Sequence, residues 1–291
     1  MKLGLQINNF SWPGGSKSLG KTLTDVARTA DEQGFYSVWV MDHFFQIGHL
    51  GAPEEPMLEA YTTLGFLAGV TKKVKLGTMV TGIIYREPAL LVKAVSALDV
   101  LSGGRAYFGV GAAWNEYESN SLGFDFPPVK QRFEMLEEAL KISTQMFDEN
   151  EKPFVGKHYK LERPMNHPQV VSKPHPPILI GGGGEKKTLR LVAQYADACN
   201  LFARSGTEEV VHKLEVLKKH CKDVGRDYNE IEKTALSFVD GNNINPHDVV
   251  KDCQKLKEIG IDHVIFSIGS VYKIDPLKVF GKEIIPEVSK F

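Results

Sequence analysis

The chain has 291 residues, 42% apolar and 24% charged, with 35 basic against 36 acidic side chains and a formal net charge of -1. That balance gives nucleic acid and anionic membranes no electrostatic hold, and no apolar run approaches the roughly 18 residues of a membrane span. The length suits one α/β barrel; the three cysteines, Cys199, Cys221 and Cys253, form no CxxC pair, so buried free thiols, a cytoplasmic location and a small-molecule partner are expected.

Apolar runs of strand length alternate with amphipathic stretches of helix length along the whole chain. Strands are expected at 2–8, 37–43, 74–82, 106–111, 177–181, 198–202, 231–240 and 261–269, and helices starting near Leu19, Glu59, Pro88, Gln131, Glu185, Thr207, Pro246 and Pro276. Asn245 followed by Pro246 reads as an N-cap with proline at the first helical position, and Gly34, Gly103, Gly225 and Gly260 as helix stops. Strand cores such as Ser-Val-Trp-Val-Met at 37–41 are near-continuous apolar runs, as required when both faces of a parallel sheet are covered. The pattern predicts a single-domain (βα)8 TIM barrel over residues 1–291, with a doubly wound open sheet as the rival. Residues 149–177, rich in proline and polar side chains, break the alternation and read as an insertion before strand five, with a hairpin around Gly156-Lys157.

In such a barrel the site forms at the C-terminal ends of the strands. Strand two ends in Asp42-His43, an acid beside an imidazole suited to proton transfer near neutral pH. Strand three ends with the hydroxyls of Thr78 and Thr81. Strand four ends Gly-Val-Gly-Ala-Ala-Trp114-Asn115-Glu116, small residues over which a flat ligand could lie. Strand five runs into Gly181, Gly182, Gly183 and Gly184 before a helix, which presents backbone N–H groups to an anion; the alternative is a tight turn needing positive φ. The run satisfies neither the Walker pattern, because Lys186 stands where a glycine is needed, nor G-x-G-x-x-G, because Lys187 does. The remaining histidines have no metal-ligand spacing, so no metal is expected.

Five stretches together resemble the bacterial luciferase-like monooxygenase superfamily, in its branch of oxidoreductases that use the deazaflavin coenzyme F420. They are Trp-Val-Met-Asp-His-Phe at 39–44, Leu-Gly-Thr-Met-Val-Thr-Gly at 76–82, Asp-Val-Leu-Ser-Gly-Gly-Arg at 99–105, Gly-Val-Gly-Ala-Ala-Trp-Asn-Glu at 109–116 and Pro-His-Pro-Pro-Ile-Leu-Ile-Gly-Gly-Gly-Gly-Glu at 174–185. The resemblance implies a tricyclic cofactor across the barrel mouth, with Asp42 and His43 beside the ring and His43 moving a substrate proton as hydride is exchanged. It places Asn115 and Glu116 near the ring or tail, and gives the cofactor phosphate to Gly181–Gly184 with Glu185. It also implies a bulge at Thr78, Met79, Val80 and Thr81 under the ring, with a non-prolyl cis peptide at Met79–Val80, and a homodimer.

The sugar-phosphate dehydrogenase of this branch carries a proton-donating glutamate where this chain has Trp114; Glu116 is the nearest substitute as a second catalytic acid. An oxygen-using FMN monooxygenase on the same barrel is the alternative, and a non-catalytic flavoprotein or cofactor-storage barrel the third reading. The substrate walls are expected from residues 44–56 and 149–177.

Overall fold

The apolar runs become parallel strands with no polar face: every residue of Ser37–Val40 and His263–Ile268 is buried. In the computed structural model, which describes residues 1–291, the strands are β1 (Lys2–Ile7), β2 (Ser37–Val40), β3 (Lys75–Thr78), β4 (Thr81–Gly82), β5 (Phe108–Gly111), β6 (Phe154–Val155), β7 (Lys160–Leu161), β8 (Ile178–Gly181), β9 (Ala198–Phe202), β10 (Glu232–Val239) and β11 (His263–Ile268). The helices are α1 (Ser16–Glu32), α2 (Ala60–Val70), α3 (Pro88–Ser102), α4 (Glu116–Ser121), α5 (Val129–Phe147), α6 (Thr188–Tyr195), α7 (Thr207–Val224), α8 (Pro246–Glu258), α9 (Asp275–Val279) and α10 (Ile285–Val288).

The main sheet runs β3-β2-β1-β11-β10-β9-β8-β5-β4. Its two ends, β3 and β4, are consecutive in the chain, and Leu76 also bonds both ways to the segment before β5, its N–H to Arg105 O and its carbonyl to Tyr107 N–H. The sheet therefore closes, and the open-sheet rival is excluded. Eight barrel strands result, because β3 and β4 are one strand interrupted at Met79-Val80 where an unbroken strand over 74–82 is expected.

Inside the barrel, Trp39, Tyr107, Leu179, Ala198 and Ile265 form a small core, with Met79, Val80 and Leu236 packed on it. The larger core lies between strands and helices. The helix signals act as read. Asn245 accepts from the His247 N–H with Pro246 in the first turn, and Gly103 and Gly225 close α3 and α7 in the left-handed region. The 99–105 motif is a brace: Arg105 is buried and donates to the carbonyls of Ala68, Thr71, Val74 and Ser102, while Asp99 accepts from the N–H groups of Val171 and Ser172.

The helices differ from expectation in three places. The one expected near Glu185 begins at Thr188, after a turn over Glu185–Lys187, and α4 has no counterpart among the expected eight; α9 and α10 are the single helix expected near Pro276, joined through a wider π turn over Phe280–Ile284. Residues 149–177 carry the β6–β7 antiparallel pair, held to α5 by Glu138, which accepts from the N–H groups of Lys157, His158 and Tyr159. All three cysteines are buried and unpaired, and no helix is long and apolar enough to cross a membrane.

Candidate active site

The Met79–Val80 peptide is cis, at the bond the resemblance implies. Its surroundings explain the small residues on either side. A Cβ on Gly109 would collide with the Thr78 carbonyl, and one on Gly111 or on Gly181 would come within 2.9 Å of a Val80 methyl. Val80 thus sits in a niche of bare backbone, and the space read as a seat for a flat ligand is partly filled by the chain. Thr78 and Thr81 are fully buried and turn inward: Thr78 Oγ1 bonds the Gly109 carbonyl and Thr81 Oγ1, which meets the Tyr61 hydroxyl, each at 2.8 Å.

Asp42 braces the same bulge from β2. Its two oxygens take the Arg86 fork at 2.8 and 2.9 Å and one also accepts from the Gly82 N–H. Arg86 continues to Glu59 at 2.6 Å. Burial pulls the Arg86 guanidinium down, but the two carboxylates outweigh it and hold it above its ordinary pKa. Both Asp42 oxygens are thus already occupied by hydrogen bonds.

His43 has a different carboxylate. Glu118, fully buried on α4, lies with Oε2 2.9 Å from His43 Nδ1. The same carboxylate accepts from the N–H groups of Phe44 and Phe45 and from the Tyr85 hydroxyl. Burial raises the Glu118 pKa, but the bonds from His43, Tyr85 and the Phe45 N–H prevail and hold it below the usual carboxylate range. An ionised carboxylate only accepts, so in the neutral imidazole the proton sits on Nδ1 and Nε2 is left as an acceptor. Asn115 sets this up indirectly, capping α4 by accepting from the Glu118 N–H at 3.3 Å.

Glu116, two residues earlier, is exposed and borders neither of the cavities described next; the carboxylate brought to the histidine is Glu118. Glu118 gives little sequence signal. It sits in a six-residue helix too short to show a period.

Two cavities meet at His43. One, of about 320 Å3, is bordered by Asp42, the Met79-Val80 bulge, Thr81, Gly181-Gly182 and Asn200; the other, of about 690 Å3, opens toward β1, β10 and β11. Their common wall is His43, Met79, Trp114, Phe202 and Leu236, with the Trp114 ring edge-on to His43 at 5.4 Å. Residues of the loop after β2 (Ile47, His49, Leu50) line the larger cavity, whereas no residue of 149–177 reaches either, so the insertion is not a wall. Asn200 was not evident from sequence. It is 3% exposed, its Nδ2 donates to Thr234 and its Oδ1 has no partner in the chain.

Beyond the smaller cavity the glycine run makes an open cradle. Gly182 donates to the Asn200 carbonyl, but no group of the chain accepts from the N–H groups of Gly183, Gly184, Glu185 or Lys186. The run also has steric causes: Gly182 has φ of 110° and a Cβ on Gly184 would meet Thr188 Oγ1, while Gly183 has room for one. The Glu185 carboxylate points away to Lys213 and His212 of α7, at 2.5 and 3.1 Å.

The sequence pattern of the luciferase-like monooxygenase family matches residues 1–239. An F420-dependent glucose-6-phosphate dehydrogenase of Kineococcus radiotolerans is 35% identical over 227 residues, covering 74% of this chain; the chain spans 64% of that relative's length. An uncharacterized protein of Mycobacterium tuberculosis is 30% identical over 262 residues, covering 86% of this chain and 88% of the relative. Among solved structures, an F420-dependent secondary alcohol dehydrogenase in complex with an F420-acetone adduct superposes with a TM-score of 0.82 at 19% identity, over 99% of this chain and 98% of that one.

Proposed function

The chain belongs to the luciferase-like monooxygenase family, and on that premise we propose that it is an oxidoreductase that uses coenzyme F420 to exchange a hydride with a small organic substrate. The observation that carries this reading is the position of His43: it is the only titratable side chain bordering both cavities, so it can serve a reaction between a ligand in one and a ligand in the other.

The smaller cavity fits a flat heteroaromatic ring. The cis bulge supplies its floor, and the unpartnered Oδ1 of buried Asn200 an acceptor for a ring N–H or a side-chain hydroxyl. Four free N–H groups from Gly183 to Lys186 suit the phosphate of the same molecule. When bound, the deazaflavin supplies the hydride chemistry. The chain's part is to hold the ring on Met79 and Val80, to exclude water with Trp114 and Phe202, and to take or return the substrate's proton at His43 Nε2. Asp42, Thr78 and Thr81 keep the bulge in place, Asn115 keeps Glu118 in place, and Glu118 keeps the imidazole in one tautomer. Trp114 follows the β5 turn where the family's sugar-phosphate enzyme has its acid, and Glu116 lies outside both cavities, so this geometry supports one proton-transfer group and a substrate other than a sugar phosphate.

Titration of the apoprotein with F420 and with FMN, followed by absorbance and fluorescence, tests the assignment. Tighter binding of F420 is expected; tight binding of FMN alone would transfer the site to the oxygen-using alternative.

The chain is also assigned as a homodimer. The outward faces of neighbouring α2 and α3 are apolar, with Phe66, Leu90 and Leu101 exposed beside Ala97 and the bare Gly65 and Gly69. A helix pair apolar on both faces calls for a cover.

A further inference from the structure

With the smaller cavity given to the cofactor, the larger one is left for the substrate, and the composition of its wall is unusual in one respect. Its fifteen residues include no aspartate or glutamate. The inner end is built from buried neutral polar groups: Gln6 is 4% exposed and Ser267 6%. The Ser267 hydroxyl donates to Gln6 Oε1 at 2.5 Å and accepts from Asn8 Nδ2 at 3.0 Å. The NH2 end of Gln6 is thereby left with no acceptor in the chain, against the cavity. That donor is open to the cavity, where a ligand oxygen can meet it.

At the outer end stands Arg204, on the short helical turn after β9. Its guanidinium lies over the Phe202 ring at 5.3 Å and has no carboxylate partner, and it is the only lysine or arginine of the wall. Between the two ends the wall is apolar, with Met41, Ile47, Leu50 and Phe238 among its members.

We propose that this cavity selects substrates with an apolar body and a single carboxylate, which Arg204 takes through its planar fork, while the Gln6 amide is free to donate to a neutral oxygen at the other end of the body. A guanidinium matches a carboxylate in shape and charge, and a wall free of acids opposes no anion. One cation compensates a monoanion and leaves a phosphate monoester dianion half-neutralised, which is why the carboxylate is assigned. Apolar side chains between Gln6 and Arg204 give the body its site.

The assignment rests on the cofactor reading only in the choice of cavity, and its test needs no cofactor. Apoprotein is titrated calorimetrically with benzoate, phenylacetate and hexanoate, with the neutral amide of each, and with phenyl phosphate. At least one carboxylate is expected to bind about tenfold or more tightly than its amide. Arg204→Gln, at an exposed position, is expected to bring that ratio to within about twofold while F420 affinity stays unchanged. No preference for any carboxylate, a preference that survives Arg204→Gln, or tighter binding of phenyl phosphate would overturn the proposal. Failure of the wild-type protein to bind F420 would instead sink the cofactor assignment and leave this one standing.

Discussion

His43 and Glu118, 75 residues apart in the chain, meet through Nδ1 and Oε2 at 2.9 Å. The contact fixes one imidazole nitrogen as a donor and turns the other to the cavities. His43→Ala is expected to lower turnover by about a hundredfold or more, the range of a general acid–base group, while F420 affinity stays within about tenfold. Steady-state rates beside a binding titration decide it; unchanged turnover would remove His43 from the chemistry.

Glu118→Gln tests the carboxylate separately. The two backbone donors on Oε1 can still be met by an amide oxygen, but the amide nitrogen then faces both His43 Nδ1 and the Tyr85 hydroxyl, which share Oε2, so a loss of roughly 1–3 kcal/mol in urea unfolding at neutral pH is expected. The pKa of Glu118 is lower folded than unfolded. Its contribution is therefore full above the unfolded value of about 4.3 and disappears as pH falls through the folded value. The difference in stability between wild type and variant should shrink across that acid window. A constant difference would mean that the charge of Glu118 contributes nothing.

Among the glycines of the cradle, Gly183 is the informative site, because it alone combines room for a side chain with no requirement for positive φ. Gly183→Val should fold normally and bind F420 about tenfold more weakly, a loss of ~1.4 kcal/mol. Gly182→Val should instead lower the melting temperature, since its φ of 110° suits glycine. Normal F420 binding by Gly183→Val would leave the run with a steric role only.

The Val80 niche predicts non-additivity. Gly111→Ala puts a methyl against Val80 and should cost about 1–3 kcal/mol through overpacking. Adding Val80→Ala should recover at least half of that loss in a double-mutant cycle of unfolding free energies. Additive losses would show that the two residues do not compete for the same space.

For the apolar α2–α3 face, Leu101→Glu places a charge at a side chain 76% exposed in the single chain. If a second copy covers this face, light scattering after size exclusion should report a dimer for wild type and a monomer for the variant. A monomeric wild type removes the homodimer.

The barrel was legible because strands covered on both faces are written as unbroken apolar runs, and because Asn245, Gly103 and Gly225 mark helix ends by local chemistry alone. What remained hidden depends on contacts between distant segments. The apolar run over 74–82 conceals the interruption at Met79-Val80, which only the family resemblance announced; the glycines that make room for it lie on β5 and β8. The late start of α6 follows a turn within Glu185–Lys187 that no residue type announces. Position in the chain led to Glu116 as the second acid, but a short helix capped by Asn115 rotates Glu118 inward and Glu116 outward. Asn200 looks like one more residue of a buried strand until its unpaired oxygen is seen against the cavity wall.

Five side chains form the partition between the two cavities, and none of them belongs to one compartment alone. A ligand that reorients Trp114 or Phe202 from one side reshapes the neighbouring volume, so the two affinities are linked, each ligand altering the other's binding by the same factor. Occupancy on the cofactor side thereby sets the dimensions within which a substrate is chosen, and a single partition serves both as chemical meeting point and as gauge.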